Sequence, residues 1–178
     1  MALKTSQAFA VWITGLPASG KSTVTGSLKS LLDEQGVDVA VLESDVLRKI
    51  FSENPRYGES ERDAFYRRMI WIGALLTQHG VPVIFDATAN RRAWRDEARR
   101  QIPHFVEVFV DVPLAICVER DPKEIYRGAA AGQASDVPGM QAAYEPPESP
   151  ELVIDGTRET PLEGARRIMA FLKSQALL

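Results

Sequence analysis

Eight residues near the start of the chain, Gly15-Leu16-Pro17-Ala18-Ser19-Gly20-Lys21-Ser22, constrain its fold more than any other segment. They fit the pattern G-x-x-x-x-G-K-[ST] at every fixed position. The preceding residues 8–14 are an apolar run that reads as a buried strand, and a helical pattern begins at Lys21. Strand, loop and helix in that order let the loop's backbone N–H groups wrap an anion, while the helix N-terminus adds partial positive charge. The pattern predicts that Gly15, Leu16, Pro17, Ala18, Ser19 and Gly20 cradle phosphate. Lys21 then reaches the β- and γ-phosphates, and the Ser22 hydroxyl ligates Mg²⁺. Triphosphate binding follows from the motif; the fate of the γ-phosphate does not.

Apolar runs and amphipathic stretches alternate along the rest of the chain. Strands are predicted at 37–42, 81–85, 105–110 and 152–154. Helices are predicted at 21–35, about 45–51, about 60–79, 91–101 and 113–120, with a last one opened by Pro161. Val24, Leu28, Leu31 and Leu32 share one face of the first helix, and Phe65, Met69, Ile72 and Leu76 one face of the long helix. Leu162, Ala165, Ile168, Met169 and Leu172 make the stripe of the last helix. Ser60, with Asp63 three residues on, suits the N-cap of the long helix. The alternation predicts an α/β fold whose five-stranded parallel sheet is covered on both faces, with ligand loops at the strands' carboxyl ends. Residues 52–59, carrying Pro55 and Gly58, read as a loop. Residues 128–150 hold several glycines and prolines and little periodicity, which suits a lid or binding loop within about 121–150.

At 178 residues the chain is expected to form a single domain. A net charge of −3 without a basic block argues against a nucleic-acid partner. No run reaches the ~18 apolar residues that a membrane helix needs, and residues 1–6 lack the apolar core of a signal peptide. Cys117 is the only cysteine, so a disulfide within the chain is impossible and a reducing, cytoplasmic setting is expected. Its apolar neighbours mark it as a buried small hydrophobe. A homodimer is compatible with the sequence, which does not fix the oligomeric state.

Candidate chemistry clusters at the strand ends. Asp45 follows the second strand, where a carboxylate can hold a Mg²⁺ water or accept the proton of an attacking hydroxyl; it also suits a helix cap. Arg48, three residues on, shares its helix face and can grip an anionic acceptor. Asp86 ends the third strand and can orient Mg²⁺. Arg62, near the start of the long helix, is a second acceptor contact, ahead of Arg67 and Arg68. Arg92 or Arg95 can meet a substrate phosphate, although part of that basic run is a solvated face. Arg120 and Lys123, at the entry to the flexible segment, can close over ATP and neutralise the transferring group. Lys123 also stands with the acceptor-side residues Asp45, Arg48 and Arg62. His79 and His104 have no visible partners and read as structural. These residues leave three readings open: a kinase for a small anionic acceptor, a kinase for another hydroxyl such as a metabolite or a polynucleotide 5′ end, and a nucleotide-dependent switch.

Several segments together resemble the adenylylsulfate kinase family. The phosphate loop followed by Thr23 is similar to that family's version, which places Thr23 among the nucleotide-binding residues. The C-terminal match is the most specific. It runs from Val106-Glu107-Val108-Phe109-Val110-Asp111 through Arg120-Asp121-Pro122-Lys123 with Tyr126 to Tyr144-Glu145-Pro146-Pro147 and Pro150-Glu151-Leu152-Val153-Ile154-Asp155. The resemblance implies a phosphate-loop kinase fold, a three-layer sandwich. It implies phosphoryl transfer from ATP with Mg²⁺ to the 3′-hydroxyl of adenosine 5′-phosphosulfate, within sulfate assimilation. It implies Lys21, Asp45 and Arg120 in catalysis, and Arg48 and Arg62 against the adenylylsulfate. The departures fall on the acceptor side. The family's D-G-D-N reads Glu43-Ser44-Asp45-Val46, an asparagine of the long helix reads Phe65, and the serine of I-S-P reads Ala89. The family's F-T-G-I-D, whose phenylalanine packs on the acceptor adenine, reads Val137-Pro138-Gly139-Met140-Gln141. The run Asp86-Ala87-Thr88 with Asn90 and Arg92 resembles kinases of small molecules and polynucleotide 5′-hydroxyls instead. At this length no fused sulfurylase domain is expected.

Overall fold

Every residue of the first strand, Ala10–Thr14, is buried, which requires strands on both sides of it and helices on both faces. The computed structural model describes residues 8–52 and 58–178. The expectations for residues 1–6, and for the 53–57 part of the predicted loop with Pro55, lie outside the described residues. In chain order the elements are β1 Ala10–Thr14, α1 Lys21–Glu34, β2 Ala40–Glu43, α2 Ser44–Phe51, α3 Glu59–Gln78 and β3 Val83–Asp86. There follow α4 Arg92–Gln101, β4 Phe105–Asp111, α5 Leu114–Arg120, α6 Ile125–Ala130, β5 Leu152–Asp155 and α7 Pro161–Ser174. The sheet order is β2-β3-β1-β4-β5, and every pairing is parallel. The α/β fold with a five-stranded parallel sheet is the one expected. Among the described residues no helix is long and apolar enough to cross a membrane.

The period-2 alternation of β1 divides the core. Phe9, Val11 and Ile13 pack with Leu28 and Leu32 of α1 and with Ile168 and Leu172 of α7. Ala10 and Trp12 pack on the other side, with Met69 and Ile70 of α3 and Ala98 of α4. Cys117 is fully buried in the first of these clusters, as its neighbours implied. The chain runs from β1 outward to β2 on one side and later to β4 and β5 on the other. The carboxyl end of β1 is therefore the switch point, where α/β sheets open a crevice.

Several boundaries differ for identifiable reasons. The second strand starts at Ala40 rather than residue 37, because the Val37 N–H is spent on the Leu32 carbonyl (3.0 Å) in the exit turn of α1. Val81 does the same with Leu76 (3.0 Å), so β3 starts at Val83. Ser60 is not the N-cap of the long helix. Gly58 is, and its carbonyl accepts from the Arg62 N–H at 2.9 Å. Asp63, freed from a capping role, accepts from Trp94 Nε1 at 2.8 Å. The buried face of α3 is Phe65, Tyr66, Met69, Ile70, Gly73 and Ala74, with Ile72 and Leu76 only half-buried. Leu162 is exposed, leaving Ala165, Ile168, Met169 and Leu172 as the stripe of α7. That helix is opened by a capping box in which Thr160 Oγ1 accepts from Glu163 N and Glu163 accepts from Thr160 N. Residues 125–130, within the lid expected at about 121–150, form α6.

Helix α3 lies close to the sheet. Trp12 stacks on Phe85 with centroids 4.6 Å apart, and the edge of the Phe85 ring occupies the place where residue 73 would carry a side chain. A Cβ on Gly73 would sit 2.1 Å from Phe85 Cζ. Phe85 is fully buried and stacked, so it cannot swing away cheaply. Gly73→Ala should therefore destabilise the fold by about 1–3 kcal/mol, the range for overpacking a tight core. A lower urea midpoint at unchanged m-value checks this; an unchanged midpoint would show that the contact relaxes freely.

Candidate active site

The loop between β1 and α1 carries the geometry of an anion cradle. Gly15 has φ 153, and a Cβ there would lie 2.6 Å from the Val110 carbonyl oxygen of the neighbouring strand. Ala18 (φ 62) and Gly20 (φ 98) both take left-handed conformations, which turn successive N–H groups inward to form a nest. The Ser19 N–H closes a turn on the Leu16 carbonyl at 3.2 Å, and Thr23 N bonds the Gly20 carbonyl at 3.1 Å. From behind, Tyr126 of α6 donates its hydroxyl to the Pro17 carbonyl at 2.9 Å.

Lys21 is buried and folds back so that Nζ donates to the Leu16 carbonyl at 2.8 Å. Burial lowers its pKa to about 8, against the opposing pull of Asp86 and Asp45. Asp86, also buried, is shifted the other way: loss of water raises its pKa, opposed by the Ser22 hydroxyl that hydrogen-bonds it and by Lys21. A buried cation near a buried carboxylate that a serine hydroxyl hydrogen-bonds forms a site that gains from an added anion and cation together. Among the described residues no three His, Cys, Asp or Glu side chains gather to hold a metal. A serine hydroxyl and one carboxylate suit Mg²⁺, which keeps several waters and takes its remaining oxygens from phosphate.

Around this cluster opens a cavity of about 810 Å³, lined by residues 17–24, by Glu43, Ser44 and Asp45, by Asp86 and Thr88, and by residues 120–123. Its far wall is the segment 156–161. The volume falls in the range of small-ligand sites, about 300–1,000 Å³. Arg120 stands on the wall and donates from Nη2 to the Gly156 carbonyl at 2.9 Å. At the mouth, Lys123 Nζ meets Asp45 Oδ2 at 2.6 Å. That hydrogen bond raises the lysine's pKa. The pair is 60% and 59% exposed, so it is worth at most about 1 kcal/mol and is easily exchanged for other partners.

Arg48 and Arg62, expected to meet the acceptor, lie elsewhere. Arg48, expected on the same helix face as Asp45, does not share its surroundings. It is buried, with its guanidinium 3.9 Å from the centre of the Phe65 ring and 4.0 Å from Glu61. Arg62 is buried too, donating to Asn90 Oδ1 at 2.7 Å and to the Asp136 carbonyl. It lines a smaller cavity of about 250 Å³ with Asn90, Trp94 and Glu145. Val137, at the position of the family's stacking phenylalanine, is turned into the α1–α7 core.

Of the two arginines expected to meet a substrate phosphate, Arg92 or Arg95, the expectation is corrected for Arg95. Arg95 is 1% exposed. It bonds Glu107 Oε1 at 2.7 Å, the Glu145 carbonyl at 2.6 Å and the Ala89 carbonyl. Arg92 pairs with Glu145 and Glu148. Sequence reasoning missed the wall at 156–161, although Asp155-Gly156-Thr157 follows a strand and the strand-end rule points there. It missed the Tyr126 strut as well, for which only the family resemblance held a signal.

The comparisons with known proteins agree with this geometry. The family model described as adenylylsulphate kinase matches residues 7–155. An adenylyl-sulfate kinase of Synechococcus sp. (strain JA-3-3Ab) is 39% identical over 168 residues, covering 94% of this chain and 96% of that one. Another, from Microcystis aeruginosa, is 38% identical over 158 residues, 89% and 87% of the two chains. The solved APS kinase of Mycobacterium tuberculosis in complex with AMPPNP and APS superposes with a TM-score of 0.88 at 31% identity, covering 94% and 98%. Phosphate loop, buried lysine, strand-end carboxylates and matched sequence together place the chain in the adenylylsulfate kinase family.

Proposed function

We propose that this protein transfers the γ-phosphoryl group of ATP to the 3′-hydroxyl of adenosine 5′-phosphosulfate, the step that completes sulfate activation. The observation that carries the reading is the single cavity joining Lys21, Ser22 and Asp86 at the phosphate loop to Asp45 and Lys123 at its mouth. A phosphate cradle and a candidate base thus share one chamber, in a chain of this family. A different hydroxyl acceptor is not favoured, because the relatives that cover most of the chain are adenylyl-sulfate kinases.

The loop amides and Lys21 hold the β- and γ-phosphates. Ser22 and Asp86 would hold Mg²⁺, with Asp45 near enough to take part through water; when bound, the ion neutralises charge on the phosphate oxygens. Asp45 exchanges Lys123 for the acceptor and takes the proton of its 3′-hydroxyl. The hydroxyl oxygen bonds to the γ-phosphorus as the bond to the β–γ bridging oxygen breaks, and ADP leaves with that electron pair. Lys123, so released, and Arg120 lie where they offset charge on the transferring group. Arg48 and Arg62 hold the anionic part of the acceptor, and the segment 131–150 excludes water that would otherwise hydrolyse ATP. ATP supply and a lone buried cysteine suit the cytoplasm.

Lys21→Ala should nearly abolish transfer. Asp45→Asn should lower kcat by about 10²–10⁴-fold, the usual worth of a positioned base, read as ADP release at saturating adenylylsulfate. An undiminished kcat would remove Asp45 from that role.

The lowered pKa of Lys21 sets a pH signature. Between about 8 and 10.5 the unfolded chain keeps a proton that the folded chain has released. The lysine's contribution to stability therefore rises with pH across that window. Triphosphate favours the ammonium, so ATP affinity should fall above about pH 8 and binding there should take up a proton. Calorimetry in buffers of different ionisation enthalpy reads this uptake. Lys21→Met should abolish it, and a buffer-independent enthalpy in the parent protein would contradict it.

A further inference from the structure

Asn90 joins three parts of the molecule. It follows β3 and Asp86, and its side chain is 6% exposed. Oδ1 accepts from Arg62 Nη1 at 2.7 Å and Nδ2 donates to the Ala143 carbonyl at 2.8 Å. Only this orientation of the amide works, since the reverse would set an NH₂ against a guanidinium and an oxygen against a carbonyl. The backbone carbonyl of Asn90 accepts from Glu145 N at 2.8 Å. The preceding residue is held as firmly. Ala89 has φ 38, unfavourable for a residue with a Cβ. Its N–H donates to the Tyr66 hydroxyl at 3.0 Å and its carbonyl accepts from buried Arg95. The direction of the Asn90 side chain is thus set from both sides.

The Arg62 guanidinium is a planar fork. Asn90 takes one prong and the Asp136 carbonyl another. Phe65, one helical turn along α3, offers Arg62 no polar atom. The geometry points to Asn90 as the residue that positions Arg62 for the anionic acceptor, and so sets acceptor affinity without touching the reacting atoms. This inference rests on the reading of Arg62 as an acceptor contact. A purely structural Asn90, stapling the segment 136–145, would disturb ATP and acceptor alike.

Steady-state kinetics with ATP and adenylylsulfate separate these roles. Asn90→Ala should raise the KM for adenylylsulfate by about tenfold or more, with the KM for ATP held within about twofold. In an Arg62→Ala background the same change should add less than about twofold, because the interaction it removes is already gone. If Arg62→Ala raises the acceptor KM and Asn90→Ala does not, the inference fails while the reading of Arg62 stands. If Arg62→Ala leaves that KM unmoved, the reading fails and takes the inference with it. Equal rises in both KM values overturn the positioning role. Should Asn90→Ala fail to bind ATP, Asn90→Leu serves: it keeps the bulk of the side chain but offers Arg62 no oxygen. The same selective rise in acceptor KM is expected, and an unchanged value overturns the inference.

Discussion

A strand with no solvent-facing side determines most of what surrounds it. Because β1 is buried along its whole length, its hydrogen-bonding edges must both be paired and its two faces both covered. The order β2-β3-β1-β4-β5 and the two helical layers satisfy that demand. The chain leaving β1 then emerges at the centre of the sheet's carboxyl edge, flanked by the ends of β3 and β4. Asp86 and the Val110 carbonyl approach the loop for that reason, and Gly15 must be a glycine because of it. The low-dielectric setting that shifts Lys21 and Asp86 in opposite directions has the same origin.

The donor and acceptor halves differ in how their charges are kept. At the phosphate loop a buried cation and carboxylate sit with incomplete compensation and await a polyanion. Elsewhere the buried arginines rest against groups of the protein itself. Arg48 lies over an aromatic face, Arg62 has an amide and a carbonyl, and Arg95 is enclosed by a carboxylate and two carbonyls. Buried arginines held in this way specify geometry more than they add stability, since desolvating them offsets much of the gain. Of the positions where the chain departs from its family, Phe65 and Ala89 lie in this region, whereas Val46 is exposed and Val137 is turned into the α1–α7 core. Phe65 backs Arg48, Ala89 anchors the turn before Asn90, and Val137 fills core space.

How much of this was legible in the sequence follows from distance along the chain. The phosphate loop is eight consecutive residues between a strand and a helix, so local pattern was enough for Lys21, Ser22 and the nest. Asp45 and Asp86 were found because strand ends converge in parallel sheets. The arginines were not separable. Arg62, Arg92 and Arg95 are alike in sequence, and their fates depend on Asn90, Glu145 and Glu107, contributed by other elements. Boundaries shifted where exit turns captured the first residues of a strand, a backbone choice that apolar pattern does not encode. Helix α6 was missed because its six residues, flanked by glycine and proline, are too short to show a period.

The missing side chain at Gly73 turns an aromatic ring into a spacer. Phe85 precedes Asp86 in the strand, and Gly73 lies three turns along α3 from Arg62. The thickness of one phenyl ring, seated on Trp12 and closed over by bare backbone, therefore gauges the separation between the residue beside the phosphate loop and the helix that carries Arg62. A two-substrate enzyme must hold that separation to a fraction of an ångström, and here the tolerance is supplied by the shape of the core rather than by any group that meets a substrate.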